Sequence, residues 1–181
     1  MKVYLSGGAK NGKSSLAQEL AVRLANGRPH YYVATMSPAD GEDRLRIEHH
    51  VADRTGMGFE TIECGHNIAS VTDLAGRDSV VLLDSVTALL LNELFADPAS
   101  AAADETAARR VAAQLIALCD WFSDVILVSD YIFSDAERYD GLTECFRRSL
   151  AAVDRALAHR CDVVAELCGG NITVHKGALP L

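Results

Sequence analysis

Positive charge is scarce in this sequence: 17 lysines and arginines stand against 25 aspartates and glutamates in 181 residues, a formal net charge of −8. That balance argues against a nucleic-acid partner or an anionic membrane surface, so any affinity for phosphate must come from a local site. Cysteine is sparse and unpatterned. Cys64, Cys119, Cys145, Cys161 and Cys168 form no C-x-x-C and no regular framework, which reads as reduced thiols in a cytoplasmic protein. Cys64 and His66 are neighbours, but no second ligand pair lies at zinc-like spacing. Long hydrophobic runs are also missing. The longest apolar stretch, residues 80–95, is interrupted by Asp84, Asn92 and Glu93, so no membrane span is expected. No signal-peptide pattern precedes the first expected strand. There is no internal repeat and no linker, and a single domain over 1–181 is the expectation.

What the sequence does contain is Gly7-Gly8-Ala9-Lys10-Asn11-Gly12-Lys13-Ser14, the full G-x-x-x-x-G-K-[ST] spacing of a phosphate-binding P-loop. It follows a short apolar run, Val3-Tyr4-Leu5, and precedes a helical pattern from Ser15 to Leu24. That context suits the chemistry. Glycines let the backbone wrap a phosphate with its N–H groups, the helix N-terminus adds partial positive charge, Lys13 reaches the β- and γ-phosphates, and Ser14 ligates Mg²⁺.

Asn26-Gly27-Arg28-Pro29 stops the first helix, and residues 30–35 read as a second buried strand. Strand ends line the ligand crevice of an open parallel sheet, so Thr35 and Ser37 are candidates to face a nucleotide; hydroxyls satisfying a turn are the alternative. A helix is expected over 40–54, capped by Asp40. On it Arg46, His50 and Arg54 fall at i, i+4 and i+8, one stripe, with His49 turned about 100° away. Two arginines flanking a histidine suit phosphate oxygens; a solvated basic face paired with Glu42 and Asp43 remains open. Residues 59–63 read as a short strand and 67–74 as a short helix. Val80-Val81-Leu82-Leu83-Asp84 is a Walker-B-like strand, expected to neighbour the P-loop strand and to hold Mg²⁺ opposite Ser14 through Asp84. Helices are expected over 86–95 and 105–121. A strand over 124–130 ends on Asp130, a further candidate metal or general-base carboxylate, or a turn aspartate. A helix over 141–160 carries the core stripe Phe146, Leu150, Val153 and Leu157, and residues 161–167 and 171–175 form a terminal hairpin. Strands alternating with helices predict a three-layer α/β/α P-loop NTPase of the RecA-like kind, with a mostly parallel sheet and a C-terminal edge hairpin.

Several stretches narrow the class. The opening through Ser15 resembles the Gly-Gly-Ala-x-x-Gly-Lys-Ser start of the bifunctional adenosylcobinamide kinase / adenosylcobinamide-phosphate guanylyltransferase family. Tyr32-Val33-Ala34-Thr35 is similar to its Tyr-Ile-Ala-Thr strand, and residues 46–54 resemble its Arg-Ile-x-x-His-x-x-x-Arg helix. Phe59-Glu60-Thr61-Ile62-Glu63 fits its Trp-x-Thr-x-Glu element with Phe for Trp. Leu82-Leu83-Asp84-Ser85-Val86-Thr87 with Asn92-Glu93-Leu94-Phe95 matches its Walker-B strand and following helix. From Ser129 onward the likeness departs. Ser129-Asp130-Tyr131-Ile132-Phe133 stands where the family pattern reads Ser-Asn-Glu-Val-Gly. Arg148 follows Phe146-Arg147 in place of Asp, and Asp154-Arg155 falls where Asn-Gln would.

The resemblance implies a transferase of cobalamin biosynthesis acting in the cytoplasm, with Mg²⁺ and with ATP and GTP as substrates. A nucleoside triphosphate would phosphorylate the aminopropanol hydroxyl of adenosylcobinamide; GTP would then donate GMP to that phosphate through a guanylylated histidine. The matching histidine is His50, with His49 as runner-up. The resemblance also implies nucleotide contacts by residues 7–14, by Ala34, Thr35 and Met36, by Arg46, Val51, Ala52, Asp53 and Arg54, and by Glu63 and Asp84, with Lys13 catalytic and Ser14 and Asp84 on the metal. It implies a homo-oligomer, a trimer in members of the family. Two other functions stay open on the residues alone: a P-loop kinase of another hydroxyl with no covalent nucleotide, and a non-catalytic nucleotide-binding regulator.

Overall fold

The two runs closed by carboxylates behave as central strands must. Val80 to Leu83 and Val125 to Val128 are buried on both faces, as continuous apolar runs in a covered parallel sheet require. The structure, a computed structural model, describes residues 1–36, 51–52, 54–97, 102–104, 106–132 and 137–180. Along the chain lie β1 (Lys2–Gly7), α1 (Lys13–Ala25), β2 (His30–Ala34), β3 (Glu60–Glu63), a 3₁₀ turn (Ile68–Ser70) running into α2 (Val71–Leu74), and β4 (Val80–Asp84). There follow α3 (Val86–Leu94), α4 (Ala107–Trp121), β5 (Asp124–Asp130), α5 (Gly141–Arg160), β6 (Val163–Cys168) and β7 (Asn171–Lys176).

The strands form one sheet in the order β3-β2-β4-β5-β1-β6-β7, parallel throughout except for the antiparallel β6–β7 hairpin. The RecA-like three-layer expectation therefore holds, with one correction. The Walker-B strand β4 does not neighbour the P-loop strand β1; β5 lies between them, pairing Gly7 with Asp130 on one side and Asp84 with Val128 on the other. Spacing along a sequence carries no information about an inserted strand, because parallel neighbours are joined by crossovers of any order.

Alternation along the strands sorts the core into two layers. Val3, Leu5, Val80, Leu82, Ile126 and Val128 pack with Ala17, Leu20 and Ala21 of α1. Tyr4, Val81, Leu83, Val125 and Leu127 face the other way, against Leu89 and Leu90 of α3, Val111, Leu115 and Leu118 of α4, and Leu150, Val153 and Leu157 of α5. Phe146 packs against this layer only partly buried. Caps fix two helix starts: Ser85 Oγ accepts from Ala88 N at 3.2 Å, and Asp140 Oδ1 accepts from Thr143 N at 2.7 Å. The expected helix over 67–74 is split into the 3₁₀ turn and the single turn α2. Cys161 closes α5 rather than opening β6, its N–H bonding to Leu157 O at 2.8 Å. Of the helix expected over 40–54, only Val51, Ala52 and Arg54 lie among the described residues; the first two are helical and Arg54 begins a turn. Among the described residues no helix is long and apolar enough to cross a membrane.

Candidate active site

β1 delivers the loop to the C-terminal edge of the sheet, and two glycines there have no substitute. Gly7, at φ 154°, lies so close to β6 that a Cβ would sit 2.3 Å from Leu167 O. Gly12 is the left-handed cap of α1 at φ 82°, and α1 has no side-chain cap, so its first-turn N–H groups face the loop. Asn11 ties the loop across, its Nδ2 donating to Gly8 O at 3.2 Å and its Oδ1 accepting from Gly169 N at 3.2 Å. Ala9 and Lys10 are exposed, and Ser14 is half-buried in the first turn of α1.

Lys13 is the buried charge of the site, at 5% exposure, and it folds back on the loop. Its Nζ donates to Gly8 O at 2.7 Å and pairs with Asp130 Oδ1 at 2.7 Å. Asp130 is held there by its backbone. Its N–H donates to Thr87 Oγ1 at 2.8 Å, and the next N–H, Tyr131's, donates to Gly7 O at 3.2 Å. The second strand-end carboxylate is thus the counter-ion of the P-loop lysine.

Asp84, half-exposed at the end of β4, belongs to a different group. The Tyr32 hydroxyl donates to Asp84 Oδ2 at 2.9 Å, and Arg54 stacks over the Tyr32 ring at 4.2 Å while donating to Thr61 Oγ1 at 3.1 Å. Tyr32 is therefore the residue that joins Arg54 to the Walker-B carboxylate. Spacing on the helix stripe pairs Arg54 with His50 but gives no hint of Tyr32, which sits on another strand.

Thr35 does not face the crevice. It is fully buried, its Oγ1 donating to Ser85 O and accepting from Ser85 N, both at 2.7 Å, and its carbonyl accepting from Asn92 Nδ2 at 2.9 Å. The hydroxyl satisfies no turn of its own either: its partners are the backbone groups of Ser85, so Thr35 fastens β2 to the start of α3. Asn92 also donates to Gly65 O at 3.0 Å, and the neighbouring Glu93 accepts from Asn67 N at 2.7 Å. The Asn-Glu pair therefore braces the β2 and β3 exits. Burial raises the Glu93 pKa, but the Asn67 N–H and the Arg110 guanidinium outweigh it and hold it below the usual range. Ala34 and Met36 are half-buried, and Glu63, paired in register with Ala34, is exposed, as are Val51 and Ala52. Arg46, His49, His50 and Asp53 lie outside the described residues, as does Ser37.

The Cys64 thiol donates to His66 O at 3.2 Å, a turn contact, and no group of three or more His, Cys, Asp or Glu side chains suited to a metal occurs among the described residues. A cation here would draw on Ser14 and the oxygen of Asp84 that Tyr32 leaves unengaged. Phosphate and water would complete a donor set suited to Mg²⁺. All five cysteines are free thiols.

A further polar group joins residues that the sequence did not bring together. Ser129 Oγ donates to Asp154 Oδ1 at 3.0 Å, beside Tyr4. Burial pushes the Asp154 carboxyl up from 3.8 to about 6, the Asp130 charge adding to it while the Tyr4 and Ser129 hydroxyls oppose. Its sequence signal was slight: one carboxylate beside the buried stripe of an amphipathic helix, and one tyrosine in an aliphatic strand.

A family model described as cobinamide kinase / cobinamide phosphate guanyltransferase matches residues 3–174. The bifunctional adenosylcobalamin biosynthesis protein CobU of Salmonella typhimurium is 31% identical over 174 residues, spanning 91% of this chain and 93% of that protein. The bifunctional adenosylcobalamin biosynthesis protein CobP of Pseudomonas aeruginosa is 34% identical over 97 residues, about half of each chain (54% and 55%). Among solved structures, an ATPase domain superposes with a TM-score of 0.58 at 11% identity, covering 97% of this chain and 76% of that one. A protein of Pyrococcus horikoshii gives 0.53 at 9% identity, covering 97% and 86%. At such identities these two likenesses speak to the fold alone.

Proposed function

The chain belongs to the cobinamide kinase / cobinamide phosphate guanyltransferase family, and on that premise we propose that it catalyses both reactions at one nucleotide site. A nucleoside triphosphate held by residues 7–14 phosphorylates the aminopropanol hydroxyl of adenosylcobinamide. GTP then gives GMP to His50, and the guanylylated histidine passes it to the new phosphate, yielding adenosylcobinamide-GDP with pyrophosphate released in the first transfer. The observation that carries this reading is the complete P-loop, with its lysine buried at the loop centre, in a chain matched by that family over nearly its whole length.

The division of labour follows from charge. Lys13 leaves Gly8 O and Asp130 to meet the β- and γ-phosphates, and the uncapped N-terminus of α1 faces the same oxygens. Neutral imidazole attacks the α-phosphate, and the phosphoramidate it forms is a good donor to the next phosphate, splitting one hard transfer into two. Arg54, fixed between Tyr32 and Thr61, follows His50 by four residues in the sequence and neutralises charge on that side. Mg²⁺, when bound, adds Lewis-acid neutralisation of the phosphates. We place the working unit as a homo-oligomer, a trimer, in the cytoplasm.

The test is incubation with α-phosphate-labelled GTP. An acid-labile, alkali-stable label on the protein is expected, lost in His50→Ala and kept in His49→Ala. A label that survives His50→Ala sinks the histidine assignment. Mass analysis of the corrinoid after incubation with ATP and GTP separates kinase, transferase and neither.

A further inference from the structure

The face of the sheet opposite α1 carries a cleft of about 500 Å³, within the range of small-molecule pockets. Its floor is Tyr4 and Asp154, and its wall includes Ala158 of α5 and Val164 of β6. Arg155, Glu166 and His175 form the rim. Ser6 and Tyr131 line it too, and they are the chain neighbours of Gly7 and Asp130, so one end of the cleft reaches the P-loop.

Three features mark this cleft as built for a ligand. The Tyr4 hydroxyl lines it from a residue only 3% exposed, and makes no hydrogen bond of good geometry. It lies against the Asp154 carboxyl without a well-made bond to it, and a buried hydroxyl so placed gains when a ligand supplies a better-aligned partner. Arg155, on the rim, is exposed and has neither ion pair nor hydrogen bond among the described residues, whereas the opposite rim is closed by the Glu166–His175 pair at 2.9 Å. Asp130, at the P-loop end, has a single side-chain partner among the described residues, Lys13, which the phosphates of a bound nucleotide draw away.

We propose that this cleft is the acceptor subsite of the phosphoryl-transfer step. It takes the amide-linked, hydroxyl-bearing arm of the acceptor, presents the hydroxyl at the P-loop end, and has Asp130 there to receive its proton. The inference rests on the kinase reading above and deepens it. The volume admits an arm and not a macrocycle, so the body of the acceptor stays outside the rim, where Arg155 donates to its carbonyl oxygens and Tyr4 donates to the arm's amide. In the step itself the acceptor O–H gives its proton to Asp130. The hydroxyl oxygen forms the new bond to the γ-phosphorus, and the bond from that phosphorus to the β–γ bridging oxygen breaks. The nucleoside diphosphate leaves with Lys13 neutralising its terminal charge.

The experiment is steady-state phosphorylation of adenosylcobinamide by ATP, alongside binding of a non-hydrolysable ATP analogue, for the wild type, Ala158→Phe, Arg155→Ala and Asp130→Asn. Filling the cleft with Ala158→Phe is expected to raise the acceptor KM about 10-fold or more with analogue affinity unchanged, since one lost or obstructed contact set in a pocket changes discrimination by about 10–200-fold. Arg155→Ala, an exposed position that cannot threaten the fold, is expected to raise it several-fold. Asp130→Asn is expected to keep the acceptor KM and lower kcat by about 100-fold or more, with analogue binding no weaker because Lys13 loses its competitor. An active wild type whose KM is unmoved in both Ala158→Phe and Arg155→Ala overturns the cleft assignment and leaves the kinase reading standing. A change of oligomeric state in Ala158→Phe with the acceptor KM unmoved also overturns it, assigning the cleft to a second copy. A wild type that binds the analogue but never phosphorylates adenosylcobinamide overturns the kinase reading itself, and the inference with it.

Discussion

Replacing Asp154 by asparagine removes one carboxyl and nothing else of comparable size, and the structure says in which direction stability must move. The carboxyl is held up at about 6 against 3.8, chiefly by burial. At about 1.36 kcal/mol per tenfold change in proton affinity, that corresponds to about 3 kcal/mol between the neutral and charged forms. The side chain borders the open cleft, and solvent there screens it, so about 1–2 kcal/mol is the working expectation. A folded-state pKa above the unfolded one means that the folded protein binds more protons between the two values. The wild type therefore loses stability as pH rises from about 4 through 6, and the loss is complete above that. Asparagine does not titrate, and its Oδ1 still accepts from Ser129 Oγ. Urea unfolding of both proteins should give equal midpoints near pH 4 and a more stable Asp154→Asn at pH 7.5. The same difference corresponds to a Tm higher by about 2–8 °C for a chain of this size. A difference that does not vary with pH, or an Asp154→Asn less stable at pH 7.5, would refute the claim that the carboxyl is a buried, reluctant charge.

Lys13→Ala should weaken triphosphate binding by about 10- to 100-fold, the worth of a charge-assisted contact, while changing stability by less than about 1 kcal/mol because its partner Asp130 is 35% exposed; calorimetric titration with GTP and an unfolding curve separate the two. Gly7→Ala places a Cβ 2.3 Å from Leu167 O, so β1 and β6 must part, and a loss of about 1–3 kcal/mol or more is expected in chemical unfolding. Tyr32→Phe keeps the ring beneath Arg54 but removes the donor to Asp84. Nucleotide binding should fall a few-fold when Mg²⁺ is present and not in chelator, and a loss equal in both would detach Tyr32 from the metal-side carboxylate.

The P-loop, the order of strands and helices and the layered fold were legible in the chain itself, because each rests on local rules: phosphate cradles need glycines at fixed offsets, and buried strands and amphipathic helices have fixed periods. Asp84 and Asp130 were equally visible as carboxylates closing apolar runs, whereas Arg46 and His50 of the expected basic stripe lie outside the described residues. Which strand stands beside which was not visible, since parallel crossovers leave no mark in sequence, and that alone decides that Asp130, on the strand inserted beside β1, pairs with Lys13 while Asp84 answers to Tyr32. Thr35 shows the same division. A hydroxyl at a strand end suits a ligand or a turn equally well, and only the approach of Ser85 from β4 consumed it. The cleft beneath α5 lay wholly outside the sequence's reach: Tyr4, Asp154 and Glu166 come from three separate elements. A composite surface of that kind exists only once the sheet has set their register.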